Sequence, residues 1–172
     1  MSARFGWIIV AGGLKRREQE LLSDFRPGKT PIRRRKEKAS DHIMWKVDDD
    51  LELCLGYGKR FTLIQGQFHL GIPEHIEKMC GNTLKVARCC GWPLKGHRAL
   101  SFSRKFENGA LVRSYASREG EDVEKECLGR KPDKDQYGQV GEWELVKEVE
   151  KEGISYDAIA TLELEVYNYL QP

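Results

Sequence analysis

Histidine with cysteine is the donor set that holds zinc, and His69, His75, Cys80 and Cys89 fall close together in the chain. The gaps between them are five, four and eight residues, which match none of the common zinc modules. A helix carrying both His75 and Cys80 would set them on different faces. No metal is expected. Cys89 and Cys90 are neighbours on a predicted strand, where consecutive side chains point to opposite faces and a bond between them would distort the peptide. A thiol becomes a nucleophile only where its pKa is lowered, and a fold-back of His97 onto Cys90 is the one arrangement that would pair a thiol with an imidazole. An enzyme would need a deep pocket around those two residues.

Other chemistries lack their patterns. Gly12-Gly13 between a strand and a helix resembles a phosphate loop in outline, yet GxGxxG and GxxxxGK[ST] are both absent. Asp48-Asp49-Asp50 occupy a predicted exposed turn, with no walls to desolvate paired carboxylates. Neither GxSxG nor HExxH occurs. The expectation is binding without a cofactor rather than catalysis.

Two stretches are suited to binding. Arg33, Arg34, Arg35, Lys36 and Lys38 form a basic run that can neutralise phosphates without a rigid fold, so contact with nucleic acid is one reading; a solvated loop is the other. Residues 101–115, SFSRKFENGALVRSY, read as a β-hairpin around a type I′ Asn108-Gly109 turn. Regular pairing across that turn sets Arg104 opposite Arg113 and gathers Phe102, Arg104, Phe106, Arg113 and Tyr115 on one face, together with Leu111. Small residues (Ser101, Ser103, Ser114, Ala116) then lie beneath a C-terminal helix, and the aromatic and arginine face is outward. Like charges directly opposed cost about 0.5 kcal/mol, so something must offset them. Three arrangements satisfy the sequence: acid from residues 119–135 lies beside the arginines, an acidic partner supplies it, or a three-residue loop slips the register so that Arg104 meets Val112.

These residues need elements to position them. FGWIIVA (5–11) reads as a buried strand, and residues 14–25 as an amphipathic helix with Leu14, Leu21, Leu22 and Phe25 at helical spacing. Residues 27–41, with two prolines and a glycine, read as a surface loop. From Ile43 the period becomes two, giving strands at 43–47, 51–58 and 61–68, then a short helix from Pro73 and a strand at 84–92. Beyond Ser117 the chain turns acidic, then ends in two predicted helices, 143–152 and 155–170, the second capped by Ser155 with an Ile154–Ile159 staple. The fold class expected is α+β in a single domain, 1–172, with a mainly antiparallel sheet of six to seven strands and helices in the N-terminal and C-terminal parts.

At 172 residues the chain can bury about two-thirds of its unfolded surface without staples. The five cysteines have no CxxC spacing, and no window approaches the ~18 apolar residues of a membrane span, so a cytoplasmic protein is expected. The net charge of +2 conceals an asymmetry: residues 119–172 hold 15 Asp/Glu against 6 Lys/Arg, leaving 12 against 23 in residues 1–118. Either the two parts neutralise each other in the fold or a basic face stays open to an acidic partner.

A strand ending in Gly91-Trp92, the hairpin FENGALVRSY, an acidic stretch and two C-terminal helices together resemble small bacterial α+β domains. Immunity-type proteins of polymorphic toxin systems are among them, and the resemblance spans residues 84–165. It implies a single-domain, cytoplasmic, non-enzymatic protein that works by binding; with the hairpin's arginines, the expectation is an immunity or inhibitor type, cargo of a mobile element, that meets a protein partner with an acidic surface. No catalytic residue carries over.

Overall fold

The computed structural model describes residues 4–25, 28–40, 52–66, 83–89, 100–118 and 121–169. Among the described residues nine strands occur: β1 (Arg4–Ala11), β2 (Pro31–Lys38), β3 (Glu52–Tyr57), β4 (Phe61–Gly66), β5 (Thr83–Cys89), β6 (Leu100–Glu107), β7 (Ala110–Arg118), β8 (Glu121–Asp122) and β9 (Glu163–Tyr169). They form one sheet in the order β2-β9-β3-β4-β1-β5-β6-β7-β8, with every neighbouring pair antiparallel. The helices are α1 (Glu18–Phe25), α2 (Glu142–Glu150) and α3 (Tyr156–Ala160). The class is α+β and antiparallel, as expected, with more strands than expected.

The central strand explains the apolar run of the N-terminal segment. In β1, Trp7 and Ile9 join a cluster on one face of the sheet, while Ile8 and Val10 join a second cluster on the other. A strand covered on both faces reads as continuous hydrophobicity rather than alternation. Leu145, Val146 and Val149 of α2 and Ile159 of α3 cover the first face; Leu21 and Leu22 of α1 cover the second. Ser155 accepts a hydrogen bond from the Ala158 N–H at 3.2 Å, and Ile154 packs in the same cluster as Ile159, so α3 begins as the sequence predicts.

Two elements differ from expectation. The last predicted helix stops at Ala160, and ELEVYNY continues as β9, with Leu164 and Val166 in one cluster and Tyr167 and Tyr169 in the other. Alternation of glutamate, aliphatic and aromatic residues suits a strand at least as well as the helical spacing does, and tertiary pairing decides between them. The partner of β9 is the second surprise. The predicted basic loop is the strand β2, which runs antiparallel beside β9 with a bulge at Arg34. The predicted strand at 43–47, the acidic turn at 48–50 and the helix from Pro73 lie outside the described residues.

Candidate functional site

Asn108 (φ 51°) and Gly109 (φ 76°) both take the left-handed conformation that a type I′ turn requires. The first two pairs follow as predicted, Glu107 with Ala110 and Phe106 with Leu111. The register then shifts: Val112 is an extra residue, so Lys105 pairs with Arg113, Arg104 with Ser114, Ser103 with Tyr115 and Phe102 with Ala116. This bulge corrects the predicted register, and the slipped alternative does not occur either. One inserted residue also reverses the faces of everything beyond it. Arg113 and Tyr115 thereby turn toward α2, away from Phe102 and Arg104. The five residues expected on one outward face are split between two.

Beneath α2, the inward face is closed. Tyr115 is buried in the α2 cluster and its hydroxyl donates to Asp122 Oδ1 at 3.0 Å. Burial, reinforced by that carboxylate, pushes the Tyr115 phenol up to about 12. Burial alone would raise Asp122, but Lys131 (3.0 Å), Lys134 (3.1 Å) and the Tyr115 hydroxyl hold it below the usual carboxylate range. Ser101 and Ser103 lie on the helix side as expected, whereas Ser114 and Ala116 lie on the other face, still buried.

A like-charge pair survives the correction, now between Lys105 and Arg113. Its offset comes from α2, the turn after it and Glu107 of the hairpin itself, not from the acidic segment 119–135. Arg113 Nη1 lies 2.7 Å from Oε2 of Glu148, a fully buried carboxylate, and Nη2 lies 3.7 Å from Glu152. Lys105 Nζ is 2.9 Å from both Glu107 and Glu152, and these carboxylates raise its pKa above the ordinary lysine value. A charged pair is tolerated on a strand when a facing helix supplies the counter-charge.

The outward face is different. Leu111 and Val112 are 40% and 41% exposed, and Leu128, bridged to Ser114 by hydrogen bonds of 3.0 and 2.7 Å, is 48% exposed. Arg104 and Arg118 share the register face of Ser114, half-buried and exposed respectively, and no described carboxylate pairs with either. Phe102 is half-buried there and Phe106 fully buried. Leu111 is expected on this face from the sequence; the contribution of Val112 and Leu128 is not visible there. A bulge has no residue signature of its own, and Leu128 sits in a segment that reads only as acidic.

The other candidate, the basic run, is an edge strand whose cations are largely engaged. Arg33 pairs with Glu165 (3.0 Å), Arg35 with Glu37 (3.2 Å) and Glu52 (3.3 Å), and Lys36 with Glu163. Arg34, at the bulge, and Lys38 have no described carboxylate partner. On the adjoining face, Glu18 of α1 accepts hydrogen bonds from the Tyr57 and Tyr167 hydroxyls, and Tyr167 also lies 2.9 Å from Glu165. Burial and these carboxylates raise both tyrosines well above the ordinary phenol value.

Among the described residues no cluster of three metal-ligating side chains occurs, and no helix is long and apolar enough to cross a membrane. His69, His75, Cys80, Cys90 and His97 lie outside the described residues, as does the side chain of Cys89. Cys54 is buried, and burial raises its thiol pKa far above the range of a reactive cysteine. The chain matches no family model, no curated protein and no solved structure.

Proposed function

We propose that the chain is a binding protein of immunity or inhibitor type that meets a protein partner with an acidic surface through the outer face of the β6–β7 hairpin. The observation that carries this reading is the grouping of three half-exposed aliphatic side chains, Leu111, Val112 and Leu128, beside Arg104 and Arg118, which pair with no described carboxylate. Apolar contact area with arginine next to it is the composition of an interface centre. The buried members of the hairpin then act from below. Arg113 and Tyr115 tie the strand pair to α2 and Asp122, and so hold the outer face in one shape.

The test compares affinity capture from nuclease-treated lysate of the source cell by the native chain, by Arg104→Glu with Leu111→Asp, and by Arg34→Glu with Lys38→Glu. A protein held by the native chain and by the β2 variant, and at least tenfold depleted with the hairpin variant, is the expected result. Equal capture by the hairpin variant removes the proposal. In lysate left untreated with nuclease, nucleic acid captured by the native chain and lost with the β2 variant, with affinity that falls steeply with salt, assigns binding to nucleic acid at the basic edge instead.

A further inference from the structure

A cleft of about 510 Å³ opens between the β3–β4 turn and the α2–α3 connection, far in sequence from the hairpin. Its size falls within the range of small-molecule sites, about 300–1,000 Å³. The apolar part of its wall comes from Phe61, Ile154, Ala158 and Leu162. Phe61 is buried, and its ring folds back over Gly58, where an added Cβ would meet Cε1 at 2.7 Å. Likewise a Cβ at Gly56 would meet Leu162 Cδ2 at 2.4 Å. Both apolar groups are thus seated against glycine backbone.

Charge around this cleft is one-sided. Lys59 and Arg60 are exposed side chains of the lining, and no described aspartate or glutamate contributes to it. Elsewhere, at β2 and beneath α2, cations close to the sheet are met by glutamates; here no described carboxylate pairs with either. Ser155 accepts the Ala158 N–H, which leaves its own hydrogen available to an acceptor in the cleft. An apolar wall, two cations and a hydroxyl donor complement a molecule that has one acidic head and an apolar body.

We propose that this cleft binds a small organic anion, a carboxylate on an aliphatic or aromatic body, with Lys59 and Arg60 at the head and Phe61, Ile154, Ala158 and Leu162 along the body. Decanoate is a suitable probe and decyltrimethylammonium its charge-reversed control, each titrated into the full chain by calorimetry and by amide chemical-shift mapping. Saturable one-to-one binding of decanoate, with shifts at residues 57–61 and 153–162, is expected. Lys59→Glu with Arg60→Glu should weaken it at least tenfold, and Ala158→Trp should abolish it by filling the cleft. Equal affinity for the cationic probe, unchanged affinity in the charge-reversed variant, or shifts that map elsewhere would each overturn the assignment. Because Lys59 and Arg60 are exposed, their replacement decides the matter even where tryptophan at 158 prevents folding.

Discussion

At the scale of single residues, Glu148 is the group on which the hairpin's charge arrangement depends. Its carboxylate is fully buried between Arg113 at 2.7 Å and Lys151 at 2.6 Å, and it faces a strand pair in which Lys105 and Arg113 are directly opposed. Removing one partner of a buried pair leaves the other charge desolvated, which costs more than the pair itself contributes. Glu148→Ala should therefore destabilise the fold by about 3 kcal/mol, read as a lower urea midpoint at unchanged slope. Glu163→Ala breaks the exposed pair with Lys36 and should leave the midpoint essentially where it is. Midpoints that move equally in the two variants would contradict this account of the hairpin. Sequence alone left an acid from the chain as one of three arrangements for this hairpin; that the acid sits on α2 depends on the bulge at Val112, which residue types do not announce.

At the scale of elements, β2 shows why a basic stretch reads as a loop. An outermost strand with one solvated side needs no apolar alternation, and PIRRRKEK has only Ile32 to suggest any. The legible signal lies in two segments taken together: the run of cations from Arg33 to Lys36 matches the alternating glutamates of ELEVYNY, and Arg33 and Lys36 meet Glu165 and Glu163. Pro31 at the start of the strand, the bulge at Arg34 and the consecutive charges are the devices by which edge strands avoid pairing with other chains. The far edge of the sheet is guarded differently, by the two-residue β8. Replacing Arg34, Arg35 and Lys36 by Thr, Val and Thr should produce concentration-dependent growth in particle size by light scattering, while Arg34→Glu, which keeps a charge at the bulge, should scatter as the native chain does. A triple variant no larger than the native chain would leave the basic run without this structural role.

At the scale of the whole molecule, the charge asymmetry of the sequence is resolved at two seams, β2 against β9 and the hairpin against α2, where the basic earlier part of the chain meets the acidic later part. The first seam is also a topological one. β9 follows every other strand in sequence, yet it lies second in the sheet, between β2 and β3. Periodicity identified most strands because alternation is local, but it could not show that residues 163–169 close the sheet against segments more than a hundred positions earlier. The energetic consequence is large. Leu164 and Val166 are fully buried in one cluster, Tyr167 and Tyr169 nearly so in the other. At about 1.5–3 kcal/mol for each aliphatic side chain, the first two alone approach the lower end of a domain's net stability of about 5–15 kcal/mol. A chain ending at Leu162 loses both clusters' contacts with β9, the described strand partner of β2 and one of the two partners of β3. It should therefore show no cooperative urea transition and should lose near-ultraviolet dichroism, with a peptide of residues 163–172 added in trans restoring part of both signals. A truncated chain that unfolds cooperatively near the native midpoint would mean that the sheet is stable without its closing strand, and that β9 is an addition to the core rather than part of it.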